Sequence, residues 1–359
     1  MPYTFIHTAD IHLDAPMDAQ LSAQQAAQRR REVLETFLEL VNYARERQVT
    51  AVLISGDLFD TERISRTTLS AVIDAIESAP SVDFYYLPGN HDEVSAQVLR
   101  QVQPANLTVF SDHWESYSYG QVCISGCQLT QKNQTTALSE LPLDPSMFNM
   151  VMLHGALGGH AGVDTLDKEA LVGQGIDYAA LGHIHAYQTG RIDARGTWCY
   201  SGCLEGRGFD ECGQKGFVEL TYTAGVLKSQ FVPFARRLFF EVPVDISGVE
   251  DVLAIAQCAQ RAAQDIPSDS LVKFTLTGTY TEDTNKDLAY VKEVLSRQFF
   301  FATVVDKTTY LANLLEDTSG TTLKSQFVQT VLASGESPEE KQRIISCGLC
   351  VLSGQEIPL

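Results

Sequence analysis

The sequence predicts an α/β fold followed by a smaller α+β unit, and three observations support this. Apolar strand-like segments alternate with helical segments from the first residues to about residue 90. After about residue 107, short strands follow one another with brief connections. Beyond about residue 235, strands and helices alternate again in the order β-α-β-α-β. Alternation of this kind is typical of parallel sheets that are covered by helices.

The first segments of the chain predict parallel βαβ units. YTFIHT, AVLIS and FYYL are short apolar and aromatic runs, as expected of buried strands. A long helix is expected between the first two runs, and a second helix is expected near residues 66–78. The apolar residues of the long helix recur with helical spacing: Val33, Phe37, Leu40, Val41 and Ala44.

The rest of the chain divides into further regions. The strand-like runs between LTVF and VLKSQFVPF form either a second sheet or the remainder of a mixed one. We therefore expect a catalytic domain over residues 1–235, an α+β domain over 236–312 and a helical tail over 313–359. The apolar tail segment IISCGLCVLSG would either dock a partner helix or pack against its own domain.

The composition narrows the class of protein. With 44% hydrophobic and 20% charged residues, the 359-residue chain resembles an ordinary globular protein. No apolar run reaches the roughly 18 residues of a membrane-spanning helix, and the N-terminus reads as a strand rather than a signal peptide. Eight cysteines without a disulfide-framework spacing predict reduced thiols and a cytoplasmic location. The net charge of −19 argues against extended phosphate binding, unless bound metals or a basic partner subunit offset it.

Five polar clusters each follow a predicted strand. They are DIH at 10–12, GDLFD at 56–60, GNHD at 89–92, HG at 154–155 and GHIH at 182–185. The carboxyl ends of parallel strands meet at one edge of a sheet, where ligands bind. Residues i and i+2 leaving a strand point to the same side, so DIH and GHIH each offer a pair of ligands. One such cluster is commonly a turn, but five in this setting predict a functional site.

The donor types indicate a site for two divalent metal ions. Carboxylate, amide and imidazole groups together suit Mn²⁺, Fe or Zn²⁺ better than Ca²⁺, and Mg²⁺ is a further alternative. Two metals about 3.5–4 Å apart suit in-line displacement at phosphorus by a bridging hydroxide, with Asp57 as the bridging carboxylate. The seven candidate ligands are Asp10, His12, Asp57, Asn90, His154, His183 and His185.

Two residues beside Asn90 are assigned to catalysis. His91 is not needed as a ligand, so it would reach the phosphate or donate a proton to the leaving oxygen. Asp92 would orient the imidazole of His91.

Other polar residues have a structural interpretation beside a functional one. Arg207 would bind the substrate phosphate or form a loop salt bridge with Asp210 or Glu211. The arginines at 29–31 lie on the polar side of the first helix, where charges are usually solvated rather than part of a binding patch. His7 lies mid-strand and is expected to be a core histidine.

The motifs DIH, GDLFD, GNHD, HG and GHIH, in this order, resemble the signature of calcineurin-like metallophosphoesterases over about residues 3–235. This resemblance implies a two-sheet αββα sandwich with a dimetal centre that usually holds Mn²⁺. FIHTADIHLDAP and YSGCLEGRGFDECGQKGF are similar to SbcD-type DNA repair exonucleases of the Mre–Rad nuclease group, and the second segment is most similar to their YhaO-type subgroup. The resemblance further implies a small capping domain, DNA as substrate, a homodimer and an SbcC-like coiled-coil ATPase as partner.

The resemblance also assigns roles to individual residues. His91 would be the catalytic histidine. Asp60 occupies the position of a second family histidine that helps to process DNA ends, so Asp60 is expected to contact the substrate, as Arg207 would in its functional interpretation. This departure leaves the exonuclease polarity open. One metal would be held by Asp10, His12, Asp57 and His185, and the other by Asp57, Asn90, His154 and His183.

The sequence therefore predicts a dimetal-dependent phosphodiesterase that acts as a DNA nuclease subunit in repair. Two other functions stay open. A phosphatase or phosphodiesterase on small nucleotides or phosphoproteins would use the same metals, and the net charge of −19 favours it. A non-catalytic scaffold is the third alternative, and the complete ligand set argues against it.

Overall fold

The structure is a computed structural model that describes residues 2–17, 20–60, 64–89, 92–102, 104–134, 136–158, 165–281, 284–310 and 322–352. The chain divides into two compact units, Met1–Leu238 and Phe239–Leu359. None of the helices within these ranges has the length and apolar composition that a membrane crossing requires.

The first unit contains strands and helices that alternate along the chain. Its helices are α1 (Ala23–Glu46), α2 (Arg66–Glu77), α3 (Glu93–Val102) and α4 (Lys168–Leu171), with a short 3-10 helix at Ala137–Glu140. Its strands are β1 (Tyr3–Thr8), β2 (Ala51–Ser55), β3 (Asp83–Leu87), β4 (Leu107–Val109), β5 (Glu115–Tyr119), β6 (Val122–Gly126), β7 (Phe148–His154), β8 (Ala156–Leu157), β9 (Thr165–Leu166), β10 (Tyr178–Gly182), β11 (Gln188–Arg191), β12 (Thr197–Tyr200), β13 (Gly216–Thr223) and β14 (Val226–Pro233).

Two six-stranded sheets form the body of the first unit. The first has the order β14-β13-β1-β2-β3-β4, and the second has the order β11-β12-β10-β7-β6-β5. Strands β1 to β4 run parallel, as do β6, β7, β10 and β12, while the outer strands β13, β14, β11 and β5 pair antiparallel.

Alternation of side chains places three apolar layers around the sheets. Phe5 and Leu53 face the second sheet and pack with Met150. The neighbouring Ile6 and Val52 face the other way and pack with the buried stripe of α1. A third cluster covers the outer face of the second sheet, where α4 and the 3-10 helix lie. This arrangement confirms the two-sheet αββα sandwich.

The second sheet contains fewer strands than the run from LTVF to VLKSQFVPF suggested. It uses strands between residues 115 and 200, whereas β4 extends the first sheet and β13 and β14 return to it beside β1. The reason lies in β13, which is buried on both faces. Its Phe217 packs towards the helices, and its Val218 and Leu220 pack towards the second sheet. A strand with two apolar faces requires cover on both sides.

A buried ion-pair network includes Arg29, one of the three arginines at 29–31 that were expected to be solvated. That expectation is wrong for Arg29, which is fully buried. Its Nη1 lies 2.7 Å from Glu32 Oε2, and its Nη2 lies 2.8 Å from Glu205 Oε2. Arg237 Nη2 also lies 2.8 Å from Glu32 Oε1. Burial opposes ionisation of Glu32, but hydrogen bonds from Arg237 and Arg29 lower the pKa of Glu32 to about 2.

His7 is a core histidine, as expected. It is fully buried in β1, and its Nδ1 lies 3.0 Å from the hydroxyl oxygen of Tyr178 on the second sheet. Burial disfavours the imidazolium and lowers the pKa of His7 from 6.5 to about 3. The folded protein therefore keeps this imidazole neutral under mildly acidic conditions.

We expect His7 to make the free energy of unfolding depend on pH. As pH falls, the unfolded chain takes up this proton first, so the contribution of His7 is complete above about pH 6.5 and is lost progressively towards pH 3. The expected slope is about 1.4 kcal/mol per pH unit. Urea unfolding of the wild type and of His7→Gln between pH 4 and 7 measures this slope as a difference. Parallel pH profiles for the two proteins would contradict the prediction.

The second unit is a small α+β fold with a helical pair. Its helices are α5 (Val252–Ala262), α6 (Leu288–Ser296), α7 (Leu323–Leu332) and α8 (Pro338–Leu352). Its strands are β15 (Phe239–Asp245), β16 (Leu271–Thr277), β17 (Thr279–Tyr280), β18 (Phe301–Asp306) and β19 (Thr309–Tyr310). Strands β15, β16 and β18 form a parallel sheet in that order, which matches the predicted β-α-β-α-β pattern.

The apolar tail segment packs against its own unit, which was one of the two alternatives. Ile345 and Leu349 of α8 are buried in a cluster with Tyr280 of β17 and Tyr310 of β19. The described part of the tail is therefore continuous with the second unit.

Candidate metal centre

The predicted polar clusters lie where strands of both sheets end. Asp10 follows β1 in the first sheet, and His183 follows β10 in the second. The backbone N–H of His183 donates to both carboxylate oxygens of Asp10, at 2.9 and 3.1 Å. The imidazole of His154, at the end of β7, lies with Nδ1 2.9 Å from the carbonyl oxygen of Ser55, at the end of β2. These contacts join the carboxyl ends of the two sheets at one place.

Two groups of three donors share Asp10 at this place. One group is Asp10, His12 and His185, and the other is Asp10, Asp57 and His154. Within each group, one ligand atom from every residue lies within 4.8 Å of the others. Asp57 Oδ2 lies 3.6 Å from His12 Nε2 and 3.5 Å from His154 Nε2, so this oxygen sits between the two groups. A bridging carboxylate would take the same position.

The imidazoles of the two groups are oriented in a common way. An Nδ1 that donates a hydrogen bond leaves Nε2 with its lone pair available for a cation. Arg207 Nη2 also lies 3.2 Å from His185 Nδ1, but arginine has no acceptor, so the carboxylate contact decides this tautomer. Each Nδ1 faces an acceptor: His12 faces Asp60 Oδ1 at 2.8 Å, His185 faces Glu211 Oε1 at 2.6 Å, and His154 faces the Ser55 carbonyl at 2.9 Å.

The charges at this place favour a cation. His12 Nε2 and His185 Nε2 lie 3.2 Å apart, and two lone pairs at this distance must share a proton or a metal. Asp10 is fully buried, and burial raises the pKa of Asp10. Burial lowers the pKa of His154, but the hydrogen bond to Asp57 and the nearby carboxylate charges outweigh burial and raise the pKa of His154 to about 9. The buried carboxylates raise the pKa of His154 because they favour a nearby positive charge, and divalent cations would supply that charge. The residues present therefore fit the expected metal pair.

The backbone around the donors adopts conformations that are rare for residues other than glycine. The φ angles are 51° at Asp10, 51° at His12, 50° at Asp57 and 99° at His183. Such conformations cost on the order of 1–3 kcal/mol each and concentrate at functional sites. Their occurrence at four predicted ligands is a second indication that this edge is functional.

Asp92 supports the loop that carries Asp57. It is fully buried and accepts hydrogen bonds from the backbone N–H groups of Leu58 at 3.2 Å, Phe59 at 3.0 Å and Gly89 at 2.9 Å. Burial raises the pKa of Asp92, and the charge of Asp57 raises it further. These contacts were not predicted from the sequence, because they depend on two loops that are far apart along the chain.

Asp60 and Arg207, which were expected to contact the substrate, contact the ligand histidines and their neighbours. Asp60 Oδ1 accepts a hydrogen bond from His12 and lies 3.3 Å from Arg207 Nη1. Of the two alternatives for Arg207, the structure shows the salt bridge with Glu211, at 3.0 Å. Sequence reasoning missed the role of Glu211 in orienting His185. The signal was its position in GRGFDE, where it was considered solely as a partner of Arg207.

Asn90 and His91 lie outside the described residues. Their roles as a metal ligand and as the catalytic histidine therefore stay predictions, as does the orientation of His91 by Asp92. The division of the ligands between two metals also stays a prediction.

Gly89 makes the close approach to Asp57 possible, and we expect Gly89→Ala to weaken metal binding. A Cβ at this position would lie 2.2 Å from Asp57 Oδ1, so the carboxylate would have to move. Such a displacement is expected to reduce Mn²⁺ affinity by about tenfold or more, as changes next to ligands commonly do. Calorimetric titration of the metal-free protein with Mn²⁺ measures this. Gly335→Ala, whose Cβ would meet open space, is the matched control. Equal affinities for both variants would refute the expectation.

Comparisons with known proteins identify the family of this chain and several similar proteins. A model of the calcineurin-like phosphoesterase family matches residues 3–187. The uncharacterized metallophosphoesterase YhaO of Bacillus subtilis is 26% identical over 300 residues, which are 78% of this chain and 72% of that protein. The DNA double-strand break repair protein Mre11 of Aeropyrum pernix is 24% identical over 267 residues, and the match covers 67% of this chain but 63% of that protein. A solved dimetal phosphatase from Danio rerio has a TM-score of 0.41 and 13% identity, covering 65% of this chain and 99% of that one.

The family match includes the strands and loops that carry both donor groups, β1 through His185. Members of this family bind two divalent metals and are hydrolases, in keeping with two donor groups that share Asp10. The match covers more than half of the 359 residues. The resemblance read from the five motifs is confirmed: the chain belongs to the calcineurin-like phosphoesterase family.

Proposed function

We propose that this protein is a dimetal-dependent phosphodiesterase that cleaves DNA as the nuclease subunit of a repair complex. The metal-dependent hydrolase activity is proposed on one observation, the two donor groups that share Asp10. Within each group the ligand atoms lie within 4.8 Å of one another. The two groups face the same edge, so a single phosphodiester would meet both.

The chain's own residues divide into holding and positioning roles. Asp10, His12 and His185 would hold one cation, and His154 with Asp57 would hold the other, completed by Asn90 and His183. Asp57 Oδ2 lies between the groups, which supports its role as the bridge. Bound cations would stabilise the negative charge that develops on the phosphate oxygens. His91 would give a proton to the leaving oxygen.

DNA is proposed as the substrate because several similar proteins carry a DNA repair name. Besides the Aeropyrum protein, the DNA double-strand break repair protein Mre11 of Haloferax volcanii is 25% identical over 260 residues, which are 70% of this chain and 57% of that protein. The sequence contains no GxxxxGK[ST] motif, so ATP-driven steps would require another subunit. We therefore propose an SbcC-like coiled-coil ATPase as partner. A homodimer of this chain is proposed as the nuclease core on the family resemblance alone.

A cytoplasmic location is proposed because the cysteines are present as free thiols. The seven cysteines whose side chains the structure describes are free thiols, and Cys123, Cys127, Cys199 and Cys203 are buried. Reduced thiols in a chain of this length are typical of the cytoplasm.

A phosphatase or phosphodiesterase acting on small nucleotides or phosphoproteins is the second candidate. The net charge of −19 favours it, because a nucleic-acid surface is usually basic. The same metal centre would serve both candidates, so the metal site alone does not separate them.

Cleavage assays with Mn²⁺ separate the two candidates. End-labelled single- and double-stranded DNA would be incubated beside bis-p-nitrophenyl phosphate, with and without the ATPase subunit, and with His91→Ala as the control variant. Cleavage of DNA that is lost in His91→Ala supports the nuclease proposal and the role of His91. Hydrolysis of the small diester without DNA cleavage, even with the ATPase subunit, would instead support the small-substrate candidate.

A further inference from the structure

Five side chains close a ring of polar contacts around one donor group. The ring lies around the group of Asp10, His12 and His185. On one side it links the Nδ1 atoms of the two histidines through Asp60, Arg207 and Glu211, and on the other side their Nε2 atoms contact each other directly. Its contacts are His12 Nδ1 to Asp60 Oδ1 at 2.8 Å, Asp60 Oδ1 to Arg207 Nη1 at 3.3 Å, Arg207 Nη2 to Glu211 Oε1 at 3.0 Å, Glu211 Oε1 to His185 Nδ1 at 2.6 Å, and His185 Nε2 to His12 Nε2 at 3.2 Å.

Arg207 is the member that connects the two carboxylates. Asp60 lies after β2, whereas Glu211 lies between β12 and β13, so chain connectivity does not hold them together. Arg207 contacts Asp60 through Nη1, and it contacts Glu211 through Nε at 3.3 Å and Nη2 at 3.0 Å. Its backbone N–H also donates to Glu211 Oε2 at 2.7 Å. One residue therefore restrains both orienting carboxylates.

The ring is largely shielded from water, which strengthens its contacts. The side chains of Arg207, Asp60 and Glu211 are 20%, 16% and 5% exposed. Two carboxylates this close would repel each other without a cation between them. The planar guanidinium offers several donors in a fixed geometry, so it can satisfy both carboxylates at once, which a lysine ammonium does less well.

We propose that Arg207 is a positioning residue of the metal centre that sets the orientation of His12 and His185 together, through Asp60 and Glu211. Both imidazoles then present Nε2 towards the same point. Asp60 accepts the hydrogen bond from His12 Nδ1 in this arrangement. The inference rests on the proposed metal site, but it does not depend on whether the substrate is DNA.

The ring also explains why Arg207 is a poor choice for binding the substrate phosphate. Its single positive charge already faces the negative charges of Asp60 and Glu211. A phosphate at the same guanidinium would meet a local excess of negative charge, which opposes anion binding. The two roles therefore predict different effects of the same substitution, one on metal affinity and the other on substrate affinity.

Metal titration of Arg207 variants tests this inference without reference to turnover. The metal-free wild type, Arg207→Met and Arg207→Lys would be titrated with Mn²⁺ in a calorimeter. We expect about 10–100-fold weaker binding for Arg207→Met, as is typical when a group behind a ligand is removed. Arg207→Lys is expected to bind Mn²⁺ more tightly than Arg207→Met but less tightly than the wild type, because lysine keeps the positive charge and lacks the planar set of donors of the guanidinium.

Arg195→Met is the matched control. Arg195 pairs with Asp177, with Nη2 to Oδ2 at 2.7 Å and Nε to Oδ1 at 2.9 Å, just before β10 begins. The ligands His183 and His185 follow the other end of β10. The control therefore removes an arginine–carboxylate pair far from the donors, and we expect wild-type Mn²⁺ affinity.

A rescue experiment distinguishes positioning from general loss of structure. Arg207→Ala leaves space for a guanidinium, so millimolar methylguanidinium is expected to restore part of its Mn²⁺ affinity, while Arg195→Met shows no response. The inference is overturned if Arg207→Met binds Mn²⁺ like the wild type, or if methylguanidinium restores nothing. It is also overturned if the loss appears solely as a higher KM for bis-p-nitrophenyl phosphate. A wild type that binds no divalent metal would overturn the proposed function together with this inference.

Discussion

Asp10→Asn is expected to abolish stoichiometric Mn²⁺ binding and to lower hydrolysis of bis-p-nitrophenyl phosphate by about a thousandfold or more. Asp10 is assigned to one cation, and it also lies in the donor group of Asp57 and His154, so its negative charge would be lost beside both cations. Both carboxylate oxygens of Asp10 accept a hydrogen bond from the backbone N–H of His183. Asparagine would replace one of these oxygens with an NH₂ group, which cannot accept that hydrogen bond. Metal ions contribute several kcal/mol to such reactions, and about 4 kcal/mol corresponds to a thousandfold.

The measurement combines metal analysis of the purified variant with steady-state kinetics. Asp193→Asn is the matched control, because Asp193 likewise accepts backbone N–H groups, from Gly173, Arg195 and Gly196, beside the opposite end of β10. We expect the control to keep wild-type metal content and turnover. Full metal content together with wild-type turnover in Asp10→Asn would contradict the assignment of Asp10 as a metal ligand.

Arg29→Met is expected to lower the free energy of unfolding by about 3–5 kcal/mol, which is the usual cost of leaving a buried charge without its partner. Arg29 is fully buried, and its guanidinium bonds both Glu32 and Glu205. Glu205 has no exposed side-chain area and also accepts a hydrogen bond from Thr36 Oγ1 at 2.8 Å. Removing the guanidinium leaves this carboxylate buried with less compensation.

Urea unfolding at pH 7 measures this change. Arg297→Met removes a pair with Glu293 whose side chains are 76% and 64% exposed, and its expected cost is about 0.5 kcal/mol or less. The double variant Arg29→Met, Glu205→Gln is expected to be less destabilised than the sum of the two single variants, because neither charge is then left alone. A loss below about 1 kcal/mol for Arg29→Met would show that water reaches Glu205.

Most of the candidate metal centre was predictable because its candidate ligands obey a local rule. Asp10, Asp57 and His183 follow strands, and His154 ends one, and the apolar run of each strand is visible in the sequence. Parallel strands bring their carboxyl ends together, so residues far apart along the chain converge without any need to know side-chain packing. The sandwich adds the step that the rule omits, because it brings the ends of two separate sheets to one place.

The residues behind the ligands were not predictable in the same way. Asp60 was expected to contact the substrate, and its hydrogen bond with the imidazole of His12 was not predicted. Glu211 was considered as a loop salt-bridge partner, and it also orients His185. Arg29 was expected to be solvated, because the polar side of a helix usually faces water, yet the segment that carries Glu205 covers it.

The sequence by itself determined the alternation of strands and helices, the two-sheet family, and which side chains offer ligands to a metal. These properties follow from periodicity and from the order of residues at strand ends, which are local along the chain. The tertiary structure decided which imidazole nitrogen faces the centre, which carboxylates hold it there, and which charges are buried. These properties depend on contacts between loops more than a hundred residues apart, such as His185 with His12 and Arg207 with Asp60. Hydrogen-bond direction and burial arise from that packing, so no local pattern in the sequence specifies them.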